Sequence, residues 1–137
     1  MALAGLILGY ARVFGVVVAL ILIPIIAHRK SNQVDATKKQ IETYKMALQA
    51  YSLDNGIFPT TEQGLEALIV KPHSNPASKG VWHGPFLDPA VIKPDPWNRP
   101  YIYVCPPQQN PDPEGFDLYS SGPDGRANTE DDIVSWR

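Results

Sequence analysis

Four acidic residues lie within nine positions near the C-terminal end of the 137-residue sequence, in a segment that favours turns. The segment, residues 121–132, reads SGPDGRANTEDD and is called the acidic loop below. Hard cations such as Ca²⁺ take six to eight oxygen ligands from carboxylates and backbone carbonyls on flexible loops. Gly125 permits a tight turn that would bring Asp124 back towards Asp131 and Asp132. The composition predicts either an acidic surface loop or a calcium site, and the spacing is not that of an EF-hand.

Catalytic chemistry finds little support elsewhere in the sequence. His28, His73 and His83 are scattered, and no Ser, Cys or acidic residue has a recognisable activating neighbour. We interpret the histidines as surface or packing residues and the protein as a non-enzyme without a small-molecule substrate. The net charge of −2, with no block of like charges, does not indicate nucleic-acid binding. Cys105, the single cysteine, excludes an internal disulfide.

The chain begins with an apolar stretch that is long enough to cross a membrane. Residues 1–27 carry one charged side chain, Arg12, and at about 1.5 Å per residue they span a hydrocarbon core of roughly 30 Å. We therefore predict a transmembrane helix over residues 1–27. Arg12 is expected near one membrane face or paired with another protein group, because a guanidinium at mid-bilayer costs several kcal/mol. Pro24 is either a tolerated membrane proline or a functional kink.

The same helix is predicted to continue to about residue 54 as an amphipathic segment. One face carries a stripe with alternating spacings of three and four, namely Val34, Thr37, Ile41, Tyr44, Leu48 and Tyr51. The opposite face is polar, so the stripe requires a soluble partner. Asn55 and Gly56 accept the left-handed conformation that follows a helix, and they predict its end.

The rest of the chain, rich in Pro and Gly, predicts a small, loop-rich part of the domain. We expect a short helix over residues 60–69, capped by Thr60 or Thr61, and then an irregular connection over residues 71–94 whose apolar residues wrap the core. A turn is predicted at 95–100, and β-branched and aromatic residues predict three strands. These strands are residues 101–105, 116–120 and 133–136. The predicted fold is α+β: one domain, residues 28–137, in which the amphipathic helix covers a small antiparallel sheet.

A long helix, half apolar and half amphipathic, followed by a small sheet resembles the plan of type IV pilin-like proteins. Four strings narrow the resemblance: LDNGIFPTTEQGLEALIVKP (53–72), DPWNRPY (95–101), FDLYSSGPDG (116–125) and EDDIVSW (130–136). In this order they resemble the G-type major pseudopilins of type II secretion systems, over about residues 34–136. Asn98 stands where that family usually has Gly.

The resemblance implies a calcium-stabilised, pilin-like subunit of a periplasmic pseudopilus, which helps to push folded proteins through an outer-membrane channel. It assigns calcium ligands to the side chains of Asp124, Asp131 and Asp132, with backbone carbonyls at about Ser121 and Pro123. It also implies a homopolymer that works with minor pseudopilins and an inner-membrane assembly platform. The expected location is the bacterial inner membrane, crossed once, with the globular domain in the periplasm.

The N-terminal part departs from the family pattern. Pseudopilins carry a Gly-Phe-Thr-Leu-x-Glu type of peptidase site, and counting back from Pro24 puts Ile7 at the Glu position. Arg12 has no matching family position. Alternative readings are a monomeric, membrane-anchored calcium-binding accessory module and a divergent type IV pilin, while an anchored hydrolase is disfavoured because no catalytic constellation is visible.

Overall fold

The computed structural model describes residues 2–73 and 80–136, without the side chains of residues 2–9, 11 and 12. The chain divides into two compact units, Met1–Gln33 and Val34–Arg137, and each is treated by itself. The regular elements are α1 (Ala2–Asn55), a 3₁₀ helix (Leu65–Leu68), and the strands β1 (Ile102–Val104), β2 (Asp117–Ser120) and β3 (Ile133–Val134). The long helix and the three predicted strands are therefore confirmed, with shorter strands than expected.

The first unit consists of the apolar part of α1. Its described large apolar side chains are exposed, for example Phe14 at 71% and Leu20 at 70%, with the exception of the half-buried Val18. The helix is long and apolar enough to cross a membrane by length and composition. Pro24 lies inside α1. The side chain of Arg12 is outside the described part, so its membrane position stays a prediction, as does the end of the membrane segment at residue 27.

The second unit buries the predicted stripe of α1. Tyr44 and Leu48 are fully buried, Ile41 and Tyr51 nearly so, and the polar member Thr37 is also fully buried. The Thr37 hydroxyl hydrogen-bonds to the side chain of Tyr101, which satisfies it inside the core. The stripe belongs to the same hydrophobic cluster as residues of the strands and of the 3₁₀ helix, among them Tyr103, Leu118, Ile133, Leu65 and Leu68.

The helix α1 ends where Asn55 and Gly56 predicted its end. The helix stops at Asn55, and Gly56 takes the left-handed conformation with φ +81° while its N–H donates to the carbonyl of Ser52 at 2.8 Å. The Asn55 side chain donates to the Tyr51 carbonyl at 3.0 Å. These bonds satisfy carbonyls that the last helical turn would otherwise leave unpaired.

The predicted helix over residues 60–69 is wrong in type and length. Thr60 and Gln63 do form the reciprocal bonds of a capping box, since the Thr60 N–H donates to Gln63 Oε1 at 2.9 Å and the Gln63 N–H donates to Thr60 Oγ1 at 3.3 Å. Gly64 then has φ +59° and ψ −165°, which lies outside helical geometry. The segment therefore forms turns followed by a single 3₁₀ turn, Leu65–Leu68.

The three strands form one antiparallel sheet in the order β1-β2-β3. Tyr103 pairs with Leu118 across β1 and β2, and Ser120 pairs with Ile133 across β2 and β3. All four residues of β2 are buried. Both faces of β2 are covered, because Leu118 belongs to the core cluster while Tyr119, on the opposite face, packs against the ring of Trp136.

The irregular connection, of which residues 74–79 lie outside the described part, packs on the core as expected, although not all of its apolar residues take part. The Trp82 indole N–H donates to the Ala67 carbonyl at 3.0 Å, and the Phe86 N–H donates to Leu68 O at 2.7 Å. Trp82, Phe86 and Ile92 pack against the core cluster, and Leu87 belongs to it. Val91 was expected to take part, but 51% of its surface is exposed.

Candidate functional site

The acidic loop connects two paired residues of the sheet. It leaves β2 after Ser120 and returns at Ile133, and these two residues face each other in the β2–β3 register. The buried Ser120 hydroxyl donates to Asp95 Oδ2 at 2.7 Å and accepts the Gly122 N–H at 3.3 Å. Because β3 has only two residues, its pairing depends on how well the loop holds it in place.

Two glycines form the turn at the start of the loop. Gly122 has φ +58° and Gly125 has φ +74°, and a Cβ at Gly122 would collide with the backbone of Asp131. The Gly125 N–H donates to the carbonyl of Ser121 at 3.2 Å. The turn brings the Asp124 N–H to Asp131 Oδ2 at 3.0 Å. The predicted approach of Asp124 to Asp131 is therefore confirmed.

All three predicted aspartate ligands reach one hydroxyl group. Thr129 Oγ1 lies 2.6 Å from Asp131 Oδ1 and 3.5 Å from one oxygen each of Asp124 and Asp132. It also lies 3.1 Å from the carbonyl of Arg126. A hydroxyl has a single proton to donate, so it can neutralise little of the repulsion between three carboxylates.

Backbone N–H groups supply the other contacts of these carboxylates. Arg126 N donates to Asp124 Oδ1 at 2.8 Å, and Asn128 N donates to Asp132 Oδ2 at 2.7 Å. The Thr129 hydroxyl, with the Asp124 N–H, lowers the pKa of Asp131 below its ordinary value. Asp131 is therefore ionised throughout the neutral range.

The oxygen ligands of the loop are of the kind that a hard cation prefers, but the three carboxylates are spaced more widely than metal coordination requires. Three carboxylates and nearby carbonyls are the oxygen ligands that calcium prefers, at 2.3–2.6 Å. In the described part of the chain, no three His, Cys, Asp or Glu side chains are grouped as around one metal ion. One oxygen each of Asp124 and Asp132 lies 3.5 Å from Thr129 Oγ1, whereas the Asp131 oxygen lies 2.6 Å from it. An ion held by all three aspartates would have to draw them closer together.

The two predicted carbonyl ligands lie in the same turn. That of Ser121 accepts the Gly125 N–H and retains a second lone pair. Ser121 is buried and Pro123 is half-buried. The structure thus brings Ser121, Pro123 and the three aspartates into one short loop, and their role as ligands stays a prediction.

Sequence reasoning missed several residues that position the loop. Asp95 Oδ1 accepts the N–H groups of Trp97 and Arg99 at 3.0 and 2.8 Å, which closes the predicted turn. Asn98 has φ +64° in that turn, the conformation for which glycine is favoured. The Asp-Pro pair at 95–96 signalled a turn, but no pattern showed that Arg99 would reach the acidic loop.

A second buried aspartate organises the loop that precedes β2. Asp117 is 1% exposed. Its carboxylate accepts backbone N–H bonds from Gln108, Gln109 and Asn110, the shortest of them at 2.7 Å. The Gln109 side chain then donates to Asn128 of the acidic loop at 2.7 Å. The loop before β2 and the acidic loop are therefore hydrogen-bonded to each other, a contact that could not be predicted between residues so far apart in the sequence.

The histidines show no catalytic arrangement among the described residues. His28 and His73 are exposed. His83 Nδ1 lies 2.8 Å from Asp54 Oδ1, and the His83 N–H donates to Asp54 Oδ2 at 2.8 Å. The His83 contacts lower the pKa of Asp54. This pair ties the connection to the end of α1, which agrees with a packing role.

Comparisons with known proteins identify the family. The family model "Type II secretion system (T2SS), protein G" matches residues 24–136. The type II secretion system core protein G of Pseudomonas aeruginosa is 36% identical over 127 residues, which cover 90% of this chain and 85% of that protein. The protein of the same name from Escherichia coli K12 is 33% identical over 124 residues, covering 90% and 81%.

A solved structure shows the same fold. The crystal structure of the major pseudopilin from the type 2 secretion system of enterohaemorrhagic Escherichia coli superposes with a TM-score of 0.68 and 32% sequence identity. The match covers 81% of this chain and 88% of that one. The pilin-like fold is thereby confirmed. Together with the helix packed on its three-stranded sheet, these matches show that the chain belongs to the protein G family of type II secretion systems, the family of the major pseudopilin.

Proposed function

We propose that this chain is the major structural subunit of a type II secretion pseudopilus. Copies polymerise through the apolar part of α1, and the filament helps to drive folded proteins across the outer membrane. The observation that carries the proposal is the two-part helix, which buries one stripe in the second unit and leaves most of the described apolar side chains of the first unit exposed. Exposed apolar surface of this extent requires lipid or other copies of the helix.

The proposed partners follow from this role. Identical copies form the filament, minor pseudopilins extend it, and an inner-membrane platform assembles it. We propose a structural function and no enzymatic one, with neither nucleic acid nor a small molecule as a partner. The family match over residues 24–136 supports this assignment.

The proposed location is the bacterial inner membrane, crossed once, with the second unit in the periplasm. Arg29 and Lys30 directly follow the apolar run, and by the positive-inside rule they favour the opposite orientation. The proposed role outweighs this, because an outer-membrane channel is reached from the periplasm. A reporter fused to the C-terminus should be active only when it is of a type that works in the periplasm. Activity of a cytoplasm-specific reporter would overturn the orientation.

We also propose that the acidic loop holds one Ca²⁺. The side chains of Asp124, Asp131 and Asp132 would bind it, with the carbonyls of Ser121 and Pro123. The convergence of three carboxylates on the single hydroxyl of Thr129 supports this assignment, because one hydroxyl proton offsets little of their negative charge. Bound calcium would neutralise the mutual repulsion of the carboxylates.

The place of the acidic loop in the sheet indicates what a bound ion would do for the fold. The acidic loop leads directly into β3, where Ile133 is buried and pairs with Ser120. Closing the loop therefore positions β3 against the sheet. We propose that calcium has a stabilising and not a chemical role.

Polymerisation is tested by placing charges in the apolar segment. Lysine at Val17 and Leu20, which are 46% and 70% exposed, would put ammonium groups into a helix bundle or into lipid, at a cost of several kcal/mol. The double variant should form no filaments in electron micrographs of cells that overexpress the chain with its assembly partners. Val70→Lys, at a 60% exposed position of the second unit, is the matched control and should leave filaments intact. A wild-type chain that remains monomeric under these conditions would favour the accessory-module alternative.

A further inference from the structure

One arginine outside the acidic loop reaches into its first turn. Nη2 of Arg99 donates a hydrogen bond to the carbonyl of Gly122. A Cβ at Gly125 would collide with Nη1 of the same guanidinium. The Arg99 side chain therefore lies directly against the turn formed by residues 121–125, and the missing side chain of Gly125 leaves room for it.

The backbone of Arg99 is also fixed, by hydrogen bonds to Asp95. Its backbone N–H donates to Asp95 Oδ1, and the Asp95 N–H donates to the carbonyl of Arg99, both at 2.8 Å. Asp95 is buried at 3% exposure, and its Oδ2 lies 3.7 Å from Arg99 Nε. Nε itself is buried and has no hydrogen-bond partner among the described residues. An arginine with a desolvated Nε and a fixed backbone differs from a solvated surface cation, which keeps all its donors in water.

The guanidinium of Arg99 also places a positive charge beside the carboxylates of the acidic loop. The acidic loop carries four carboxylates and one cation of its own, Arg126. Arg126 is exposed, and its hydrogen bonds within the described residues are made by its backbone. Arg99 therefore supplies a positive charge from the neighbouring turn, through a charge-assisted bond of the stronger class.

We propose that Arg99 is a positioning residue that holds the 121–125 turn in its binding conformation before calcium arrives. Its bond uses the carbonyl of Gly122 and leaves those of Ser121 and Pro123, the proposed ligands, available. A loop that is already ordered loses less conformational entropy when the ion binds, so its affinity is higher. This role of Arg99 rests on the proposed calcium site, but its first test is made without calcium.

The first experiment is residue-resolved amide hydrogen exchange of the full chain in detergent micelles with a chelator. The Gly122 and Gly125 N–H groups, bonded to Ser120 Oγ and to the Ser121 carbonyl, should be protected in the wild type. In Arg99→Gln they should exchange faster, on the order of tenfold, as expected for the loss of one hydrogen bond to a charged group. Arg126→Gln removes the same charge from within the acidic loop itself and should leave both amides protected.

The amides of β2 serve as the check for folding. If Arg99→Gln also exposes them, Arg99→Lys replaces it, because lysine keeps the charge but lacks the planar fork. Faster exchange confined to Gly122 and Gly125 in that variant supports the proposal. Wild-type protection in a folded Arg99 variant overturns it, and so does equal deprotection in Arg126→Gln.

The second experiment measures calcium affinity by titration calorimetry of the same proteins. Arg99→Gln should bind calcium about fivefold or more weakly than wild type, a typical coupling between sites. Arg126→Gln should bind it as tightly as wild type or more tightly, because it only removes a repelling charge. Stronger binding by Arg99→Gln would show competition with the ion and overturn the proposal. If the wild type binds no calcium, the proposed metal site fails, while the exchange result still decides whether Arg99 holds the turn.

Discussion

Replacing Asp131 by Asn separates a calcium loop from an ordinary acidic turn. The Asp131 carboxylate accepts the Thr129 hydroxyl at 2.6 Å and the Asp124 N–H at 3.0 Å. Asparagine has nearly the same shape and one oxygen acceptor, so it retains one of these bonds. It loses, however, one of the three negative charges that are proposed to bind the divalent ion, and so weakens the site. The variant should therefore fold and fail to respond to calcium.

The size of the response follows from binding linkage. Calcium sites of the extracellular type have Kd values of roughly 10⁻⁴ to 10⁻³ M. At about 1 mM calcium, the free energy of unfolding then rises by roughly 0.4 to 1.4 kcal/mol. For a unit the size of Val34–Arg137, each 1 kcal/mol raises Tm by about 4–8 °C. We expect the wild type to gain roughly 2–10 °C in calcium over chelator.

Tryptophan fluorescence of the full chain in detergent measures this melting. Trp82, Trp97 and Trp136 all belong to the second unit, so the signal reports on the unit that contains the loop. Wild type and Glu130→Gln should show the same calcium-induced rise, because Glu130 is an exposed neighbour that is not a proposed ligand. Asp131→Asn should melt in calcium near the temperature of the chelated wild type. A wild type that does not respond, or a Glu130→Gln variant that loses the response, would refute the ligand assignment.

Three further predictions concern the contacts that surround the loop and the core. Tyr44→Phe should destabilise the second unit by about 1–2 kcal/mol, measured by thermal melting, because the hydroxyl accepts the Lys93 N–H at 2.8 Å and donates to the Lys93 carbonyl at 3.0 Å; an unchanged Tm would contradict it. Asp117→Asn should cost about 1–3 kcal/mol, since a buried carboxylate that accepts three N–H bonds is replaced by an amide with one acceptor. His83→Ala should raise the pKa of Asp54 towards its ordinary value in an NMR titration, because the His83 side chain lowers it. Because the pKa of Asp54 is lowered in the folded state, its carboxylate stabilises the fold above the unfolded pKa of about 3.9. This stabilisation is lost as the pH falls through the lower pKa of the folded state. The stability of the His83→Ala variant should therefore depend less on pH below about pH 4.

Much of the fold was predictable because the decisive signals are periodic. The stripe from Val34 to Tyr51 follows the helical period, and its members are buried as expected, except that Val34 is only half-buried at the edge of the core. Gly56 ended α1 through the left-handed conformation. The strands were found from their β-branched and aromatic content, although the sheet pairs fewer residues than the composition suggested. Periodicity identifies elements well, and their ends less well, since tertiary contacts decide the ends.

The 60–69 segment shows where local patterns fail. The capping signal was correct, for Thr60 and Gln63 bond reciprocally. A capping box starts an α-helix only if the following residues remain helical, and Gly64 adopts φ +59°. Glycine can take such angles at no steric cost, so its presence inside a helical pattern left the outcome to tertiary packing.

The acidic loop was predictable in position and composition but not in detail. The turn at Gly125 and the approach of Asp124 to Asp131 followed from the residue types. The convergence on Thr129 and the contribution of Arg99 did not, because hydroxyls and arginines carry no spacing signal for such roles. Contacts between loops that are distant in sequence depend on the folded sheet that brings them together.

A cryo-electron microscopy map of filaments, assembled by the full chain in millimolar calcium, tests the role as a calcium-binding pseudopilus subunit. Copies should be related by helical symmetry through their apolar N-terminal segments. Each copy should hold one ion, bound by Asp124, Asp131 and Asp132. A chain that forms no filaments with its assembly partners present would contradict the proposed role as a pseudopilus subunit. Filaments whose acidic loop is closed without an ion would contradict the calcium site.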